Sequence, residues 1–229
     1  KPEIFGDTTV YADLYKVAPQ EGAAYLQDKM EFDEMVINVG LRYDVFDPVS
    51  VYPSNRRNPS NQLLYKDTSG VLIDSLMSTY PEADIIEQVS PRIGFAYQLG
   101  NQAVLHFSYG HFFQMPPLYA MYQNHSYLIP PNDHGTTMGN VRLEPEKTIT
   151  YEIGLWQELT RGLSLDVALF YRDIYNLLSA QVFSTYNQIE YGLYSNKDYG
   201  NVRGLEVKLD MGLGAVKGLV NYTLQYTRG

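Results

Sequence analysis

Cysteine is absent from the 229 residues, so neither a disulfide framework nor a thiolate metal centre can organise the fold. Long apolar runs are missing too. The densest patch, Val167 to Tyr171, falls far short of the roughly 18 to 20 residues that a membrane helix needs, which excludes a helical membrane protein. Positive charge is scarce: 17 Lys and Arg stand against 26 Asp and Glu, a formal net charge of −9. With no basic tract to neutralise phosphates, no nucleic-acid partner is expected. No GxxxxGKS/T, GxGxxG or GxSxG sequence occurs, so phosphate cradles and a serine nucleophile elbow have no anchor. The opening Lys1-Pro2-Glu3-Ile4 lacks the apolar core of a signal peptide and is expected in a mature chain or an internal segment.

Aromatic residues are abundant, with 21 Tyr, 9 Phe and one Trp making up 14% of the chain. They fall within a period-2 alternation that recurs along the sequence. Met35, Ile37, Val39, Leu41, Tyr43 and Val45 alternate with Asn38, Gly40, Arg42 and Asp44. The same pattern carries Ile93 to Leu99, Leu105 to Tyr109, Ile149 to Leu155, Leu163 to Tyr171, Leu205 to Met211 and Val220 to Tyr226. With a less regular segment near 22–32, these predict eight strands, each with one apolar and one polar side. Connections alternate in length. Asp33-Glu34, Gly100-Asn101-Gln102, Thr160-Arg161-Gly162 and Gly212 to Gly218 are hairpin turns, whereas 47–89, 115–147 and 176–201 are long loops. A compact soluble domain rarely carries loops of that length. A transmembrane barrel has short turns on one rim and long loops on the other, and aromatic girdles at both interfaces. Tyr43, Tyr109, Tyr171 and Tyr226 each lie at a similar distance beyond a short turn, roughly 15 to 20 Å up a tilted strand and near the start of an upper girdle. The expected fold is an all-β, antiparallel transmembrane β-barrel segment. Leu41, Tyr43, Phe95, Leu105, Phe107, Ile153, Leu155, Val167, Leu169, Val207 and Leu224 should face lipid, with Arg42, His106, Glu152, Asp166 and Lys208 in the lumen. Arg42 with Asp44, and Glu152 with Lys147, are expected as lumen ion pairs, because a buried charge needs a partner.

Several motifs resemble the barrel of TonB-dependent receptors, in particular the group with a carboxypeptidase-regulatory-like N-terminal domain. They are Ala24-Tyr25-Leu26-Gln27-Asp28-Lys29 with Asn38-Val39-Gly40-Leu41-Arg42-Tyr43-Asp44; Ser90-Pro91-Arg92-Ile93-Gly94-Phe95; and Phe107 to Gln114 with Pro116-Pro117. Leu143-Glu144-Pro145-Glu146-Lys147-Thr148 with Tyr151-Glu152-Ile153-Gly154, and Asp198 to Glu206, complete the series in the same order along the chain. The resemblance implies that residues 1–229 are part of the barrel domain of a bacterial outer-membrane receptor, with the plug and remaining strands absent. It implies energised uptake of a scarce nutrient, without covalent chemistry and without a cofactor. Implied partners are outer-membrane lipid and lipopolysaccharide, the TonB complex acting through the missing plug, and a surface lipoprotein. Two other readings stay open: a small structural or adhesive barrel, and a barrel enzyme, for which His106, His111, Ser108 and Asp133 are the available groups.

Ligand capture is expected in the loop after Phe112 and Phe113, on Tyr119, Tyr122, Tyr127, Asn132, Asp133 and His134. Rigid aromatics supply contact area at low entropic cost and Asn, Asp and His supply directional hydrogen bonds, a combination that suits a polar organic ligand such as a glycan or peptide. His111, His125, Asp133 and His134 also fall in or beside this loop, but without HxH or HxxxH spacing they do not predict a metal site.

Overall fold

The computed structural model describes residues 15–130, 136–214 and 216–229. They form a single nine-stranded sheet. In chain order the strands are β1 (Gln20–Glu31), β2 (Met35–Asp47), β3 (Ile86–Leu99), β4 (Ala103–Gln114), the two-residue β5 (Thr137–Met138), β6 (Glu146–Thr160), β7 (Leu163–Ser184), β8 (Glu190–Leu213) and β9 (Val216–Arg228). The long strands follow one another as an antiparallel meander in which β4 is joined directly to β6 and β9 pairs with β8. β5 alone is parallel, added to β8 at Gly192 and Leu193. Tight turns close the lower rim. Gly100 and Gly162 have φ of 63° and 83°, values that a side chain disfavours and glycine adopts freely.

At the upper rim, 48–85 and 115–145 are long connections, as expected. The third is not. β7 and β8 run for 22 and 24 residues, so that only 185–189 remain between them and 176–201 is largely strand. The ladder breaks at a bulge beside Asn176, whose φ is 61°, and then re-forms from Leu177↔Asp198 to Ser184↔Glu190. This extension projects above the wall, where no lipid imposes strict alternation, so its sequence does not read as a strand.

Register decides which residues share a face. Ile37, Phe95, Phe107, Ile153, Leu169, Leu205 and Leu224 form one continuous cross-strand row. A second row runs Tyr97, Leu105, Leu155, Val167, Val207 and Tyr222. Above them lies Ile93, Tyr109, Tyr151, Tyr171, Arg203 and Tyr226. Below that third row the same face of β2 to β4 and β6 to β9 carries no charged residue. Leu169 is 55% exposed and Ile153 47%, so these side chains fill no protein core. A continuous apolar surface of this extent belongs against lipid.

The opposite face is the lumen side. Its central row is Asn38, Gly94, Ser108, Glu152, Phe170, Gly204 and Gln225, and Arg42, His106, Asp166 and Lys208 share it. Here Arg42 donates from Nε and Nη2 to Asp44 at 2.8 to 3.0 Å. Glu152 does not pair with Lys147. An odd separation along a strand puts the two on opposite faces, and Glu152 instead lies 4.0 Å from His106 Nε2. Gly204 provides the seat on which Phe170 lies. A Cβ there would stand 2.4 Å from the Leu224 carbonyl oxygen and 2.6 Å from the Phe170 ring, so no side chain fits.

Candidate ligand-capture site

The mouth of the wall is covered by a folded cap made from both long connections and the β7–β8 extension. Its hinge to the wall is the segment Leu143-Glu144-Pro145. Leu143 is fully buried in the cap. The Glu144 N–H donates to Asn196 Oδ1 at 2.7 Å, and its carbonyl accepts from Asn196 Nδ2 at 2.8 Å. Asn176 Nδ2 donates to Glu144 Oε2 and to the Pro145 carbonyl. The motif that resembles a family signature therefore clamps the cap to the bulge where β7 and β8 leave the wall.

Inside the cap, the helix α1 (Leu118–Tyr122) and the segment ending at Leu143 fold inward onto Phe46 at the top of β2. A second cluster joins Tyr127, Ile129 and Met138 to Tyr191 and Leu193 of β8. Three tyrosines rivet the 48–56 segment to this core. The Tyr122 hydroxyl donates to the Pro48 carbonyl at 2.8 Å, Tyr127 to the Val51 carbonyl, and Tyr191 to the Arg56 carbonyl at 2.5 Å. Each supplies a partner to a backbone oxygen that would otherwise be shielded from water. Burial pushes the Tyr122 and Tyr127 hydroxyls up to about 12, since a phenolate is poorly solvated there. Arg56, Arg57 and Arg142 add further pins by lying over the rings of Phe183, Tyr186 and Tyr52 at 4.5 to 5.0 Å.

The expected capture residues separate in space. Tyr122 and Tyr127 are buried and their hydroxyls engaged, so they frame the cap rather than line its surface. Tyr119 is 52% exposed and meets Tyr194 edge-on at 5.9 Å. Phe112 is 44% exposed on the lumen side, with the Arg92 guanidinium 4.7 Å above its ring. Phe113, half-buried, pairs across from Lys147 and borders an upper cavity with Met115. Asn132, Asp133 and His134 lie outside the described residues. Of the histidines, His111 Nε2 is 2.6 Å from the Tyr109 hydroxyl, and His125 sits between the rings of Tyr122 and Tyr127. Alternation along the strand had concealed what lies beneath the cap. Arg42 joins two cavities of about 230 and 280 Å³, one lined also by Tyr25, Gln27, Ser90 and Arg92, the other by Glu21, Asp44, Phe46 and Met115. The lining sets Tyr25 and Phe46 beside two arginines and the carboxylates of Glu21 and Asp44, a mixed polar surface suited to hydrogen-bonding a polar solute.

The family described as TonB dependent receptor-like, beta-barrel matches residues 4–229. The chain belongs to that family. Members are proteins of the bacterial outer membrane, which accounts for the lipid-facing wall. Among solved structures, the haemophore receptor HasR of Serratia marcescens, in complex with its haemophore HasA and haem, aligns at 19% identity and a TM-score of 0.66, over 91% of this chain and 34% of that one. The FrpB iron transporter of Neisseria meningitidis gives 16% identity and a TM-score of 0.59, over 93% of this chain and 27% of that one. The alcaligin receptor FauA of Bordetella pertussis gives 20% and 0.53, over 92% and 30%. The chain thus spans about a third of the length of these receptors, and the likeness is one of fold. No match was found among the curated proteins.

Proposed function

We propose that this chain is the mouth-bearing part of an energised outer-membrane uptake receptor that captures a polar organic ligand beneath its cap. The observation that carries the reading is the inward fold of the cap. The 115–145 connection buries Ala120, Met121, Tyr122 and Leu143 against Phe46 on the lumen side of the rim, while Arg42 and Arg92 line adjoining cavities and Phe112 and Tyr119 stay exposed. A pre-formed cap spends little entropy on ordering itself around a ligand. HasR is seen in complex with its haemophore and haem, FrpB is an iron transporter and FauA an alcaligin receptor; the residues found here suit a glycan or peptide. Coupling to the TonB complex would act through the plug, and a surface lipoprotein is a further candidate partner.

The test uses the full-length receptor. Cells expressing it are incubated with haem, ferric alcaligin, a maltooligosaccharide mixture and a defined peptide mixture, and depletion from the medium is followed with and without a functional TonB. TonB-dependent depletion of one probe, lost on Phe112→Ala with Tyr119→Ala, supports the proposal. Equal depletion in the TonB-deficient strain would show a passive pore, and the energised reading would fall.

A further inference from the structure

Near the upper end of the wall, one cross-strand row on the lumen side runs from Gly40 of β2 through Arg92, Gly110, Thr150 and Arg172 to Val202 of β8. Its two charges are both arginines, in a chain of net charge −9. Both are exposed, and both are held by the same construction. The Phe112 ring lies over Gly110, where a Cβ would stand 3.2 Å from the ring and 3.5 Å from Arg92 Cγ, and the Arg92 guanidinium is 4.7 Å from the ring centre. The Phe170 ring occupies the seat that Gly204 leaves, and the Arg172 guanidinium is 4.9 Å from its centre. A side chain at either glycine would displace the ring that carries the arginine.

A ring attracts a guanidinium through its π face but supplies no oxygen acceptor to the N–H donors. Among the described residues, neither Arg92 nor Arg172 has a hydrogen-bond acceptor or a carboxylate within ion-pair distance. Of the lumen carboxylates, Asp44 already accepts from Arg42, and Glu152 lies 4.0 Å from His106 Nε2. Arg92 also lines the cavity of about 230 Å³. Ser90, two residues away on the same face, lines it too; it is 1% exposed, and its hydroxyl has no partner. An enclosed hydroxyl left unpaired costs free energy, which a ligand oxygen reaching it from the cavity would recover. Arginine forks bind carboxylates bidentately, with strength as well as direction.

We propose that Arg92 and Arg172 are two anion-binding arms of the capture site, and that its ligand is an acidic oligosaccharide with carboxylates on separate sugar units. The inference rests on the capture reading and names the ligand's charge. Three strand spacings separate the arginines, about 14 Å between their Cα atoms. With each guanidinium kept on its own ring, one carboxylate does not reach both, so the ligand carries at least two. Charge then selects among oligomers. A neutral glycan leaves both sets of donors unmatched, and a peptide of mixed charge brings ammonium groups to a cationic row. A uronate oligomer brings anions alone, and its sugar faces suit the exposed rings of Phe112 and Tyr119.

The full-length receptor and its combined Arg92→Gln, Arg172→Gln variant, both in detergent, are titrated by calorimetry with three probes: oligogalacturonate, the same oligomer with its carboxylates reduced to alcohols, and oligoglutamate. The wild type should bind oligogalacturonate on the order of a hundredfold more tightly than the variant, about tenfold per arginine, with the reduced oligomer binding both proteins equally weakly. The proposal is overturned by no binding of oligogalacturonate to the wild type, by equal affinity of the wild type for the acidic and reduced oligomers, by equal affinity of the two proteins for oligogalacturonate, or by oligoglutamate binding as tightly as the uronate. None of these outcomes touches the capture reading itself, which is decided by TonB-dependent depletion of the cell-based probes. Heat-modifiable gel mobility reports whether the variant barrel is assembled. Should the double variant not assemble, Arg172→Gln, which lines neither cavity beneath the cap, is read alone, and an unchanged oligogalacturonate affinity then rejects the proposal.

Discussion

Wall and cap solve opposite problems with one chain. Among the described residues, Phe170 is the one buried apolar side chain of the membrane wall, while Phe46 at the rim, Met121, Tyr122, Leu143 and Tyr191 belong to the cap. The wall turns Phe107, Ile153 and Leu169 outward to lipid and keeps Arg42, His106 and Glu152 inside; the cap turns Ala120, Met121, Tyr122 and Leu143 inward as a water-soluble domain does. The wall is therefore held by ladder hydrogen bonds, which lipid cannot replace. The cap is held by packing and by tyrosine-to-carbonyl bonds. Damage to one region should leave a different signature from damage to the other.

The largest expected effect comes from breaking the ladder itself. In Gly204→Val the new side chain meets the Leu224 carbonyl and the Phe170 ring, the backbone oxygen at 2.4 Å from its Cβ. β9 cannot retreat from the new side chain without unpairing from β8. The full-length variant should fail to give the compact, heat-modifiable band on a gel. Normal mobility would show that Phe170 has another place to go.

Next in size is Leu169→Lys, at an outward position in the middle of the longest apolar row and 55% exposed. A lysine at mid-bilayer depth costs about 2 to 4 kcal/mol, measurable as a lower urea midpoint for unfolding in lipid. The neighbouring lumen substitution Ala168→Ser, one residue away on the opposite face, should change that midpoint little. If both shift it equally, the face assignment fails.

The contrast also explains how much the sequence disclosed. Eight strands and the facing of Leu41 against Arg42, or Val167 against Asp166, were legible because lipid on one side and a wet lumen on the other enforce a period of two. The cap has one solvent and irregular backbone, so no period records its contacts. Tyr119, Tyr122 and Tyr127 look equivalent in sequence; only tertiary packing separates the exposed Tyr119 from Tyr122 and Tyr127, whose hydroxyls reach Pro48 and Val51. The extension of β7 and β8 was hidden for the same reason. Arg92 was visible within its motif, but its place over Phe112 depends on how β3 and β4 meet.

A change of pH should open the cap without touching the wall. Tyr122 and Tyr127 have hydroxyls pushed up to about 12 by burial, whereas an exposed phenol loses its proton near pH 10. Below pH 10 both closed and opened caps keep these protons, and stability is independent of pH. Between about pH 10 and 12 the opened form ionises and the closed form does not, so the cap loses stability by about 1.4 kcal/mol per pH unit for each phenol. Limited proteolysis of the 48–85 connection should accelerate at pH 11 relative to pH 9, with barrel mobility on gels unchanged. Simultaneous loss of the barrel band would mean that cap and wall unfold together.

The smallest effect isolates one rivet. Tyr122→Phe keeps the ring, and with it the contacts to Phe46 and Leu143, but removes the donor to the Pro48 carbonyl at 2.8 Å. That carbonyl is then buried without a partner, because Tyr122 is fully enclosed, and the penalty for such a group is about 1 to 2 kcal/mol. It should fall on the cap alone, as faster amide exchange in 48–56 with the exchange of β6 and β7 in the wall unaltered. The variant also bears directly on the alkaline opening: with one of the three elevated phenols gone, the slope between pH 10 and 12 should drop by about a third. If the slope is unchanged while exchange quickens, Tyr122 is a rivet but not a titrating one, and the alkaline response of the cap must then come from Tyr127 or from Tyr191, which burial likewise pushes up to about 12.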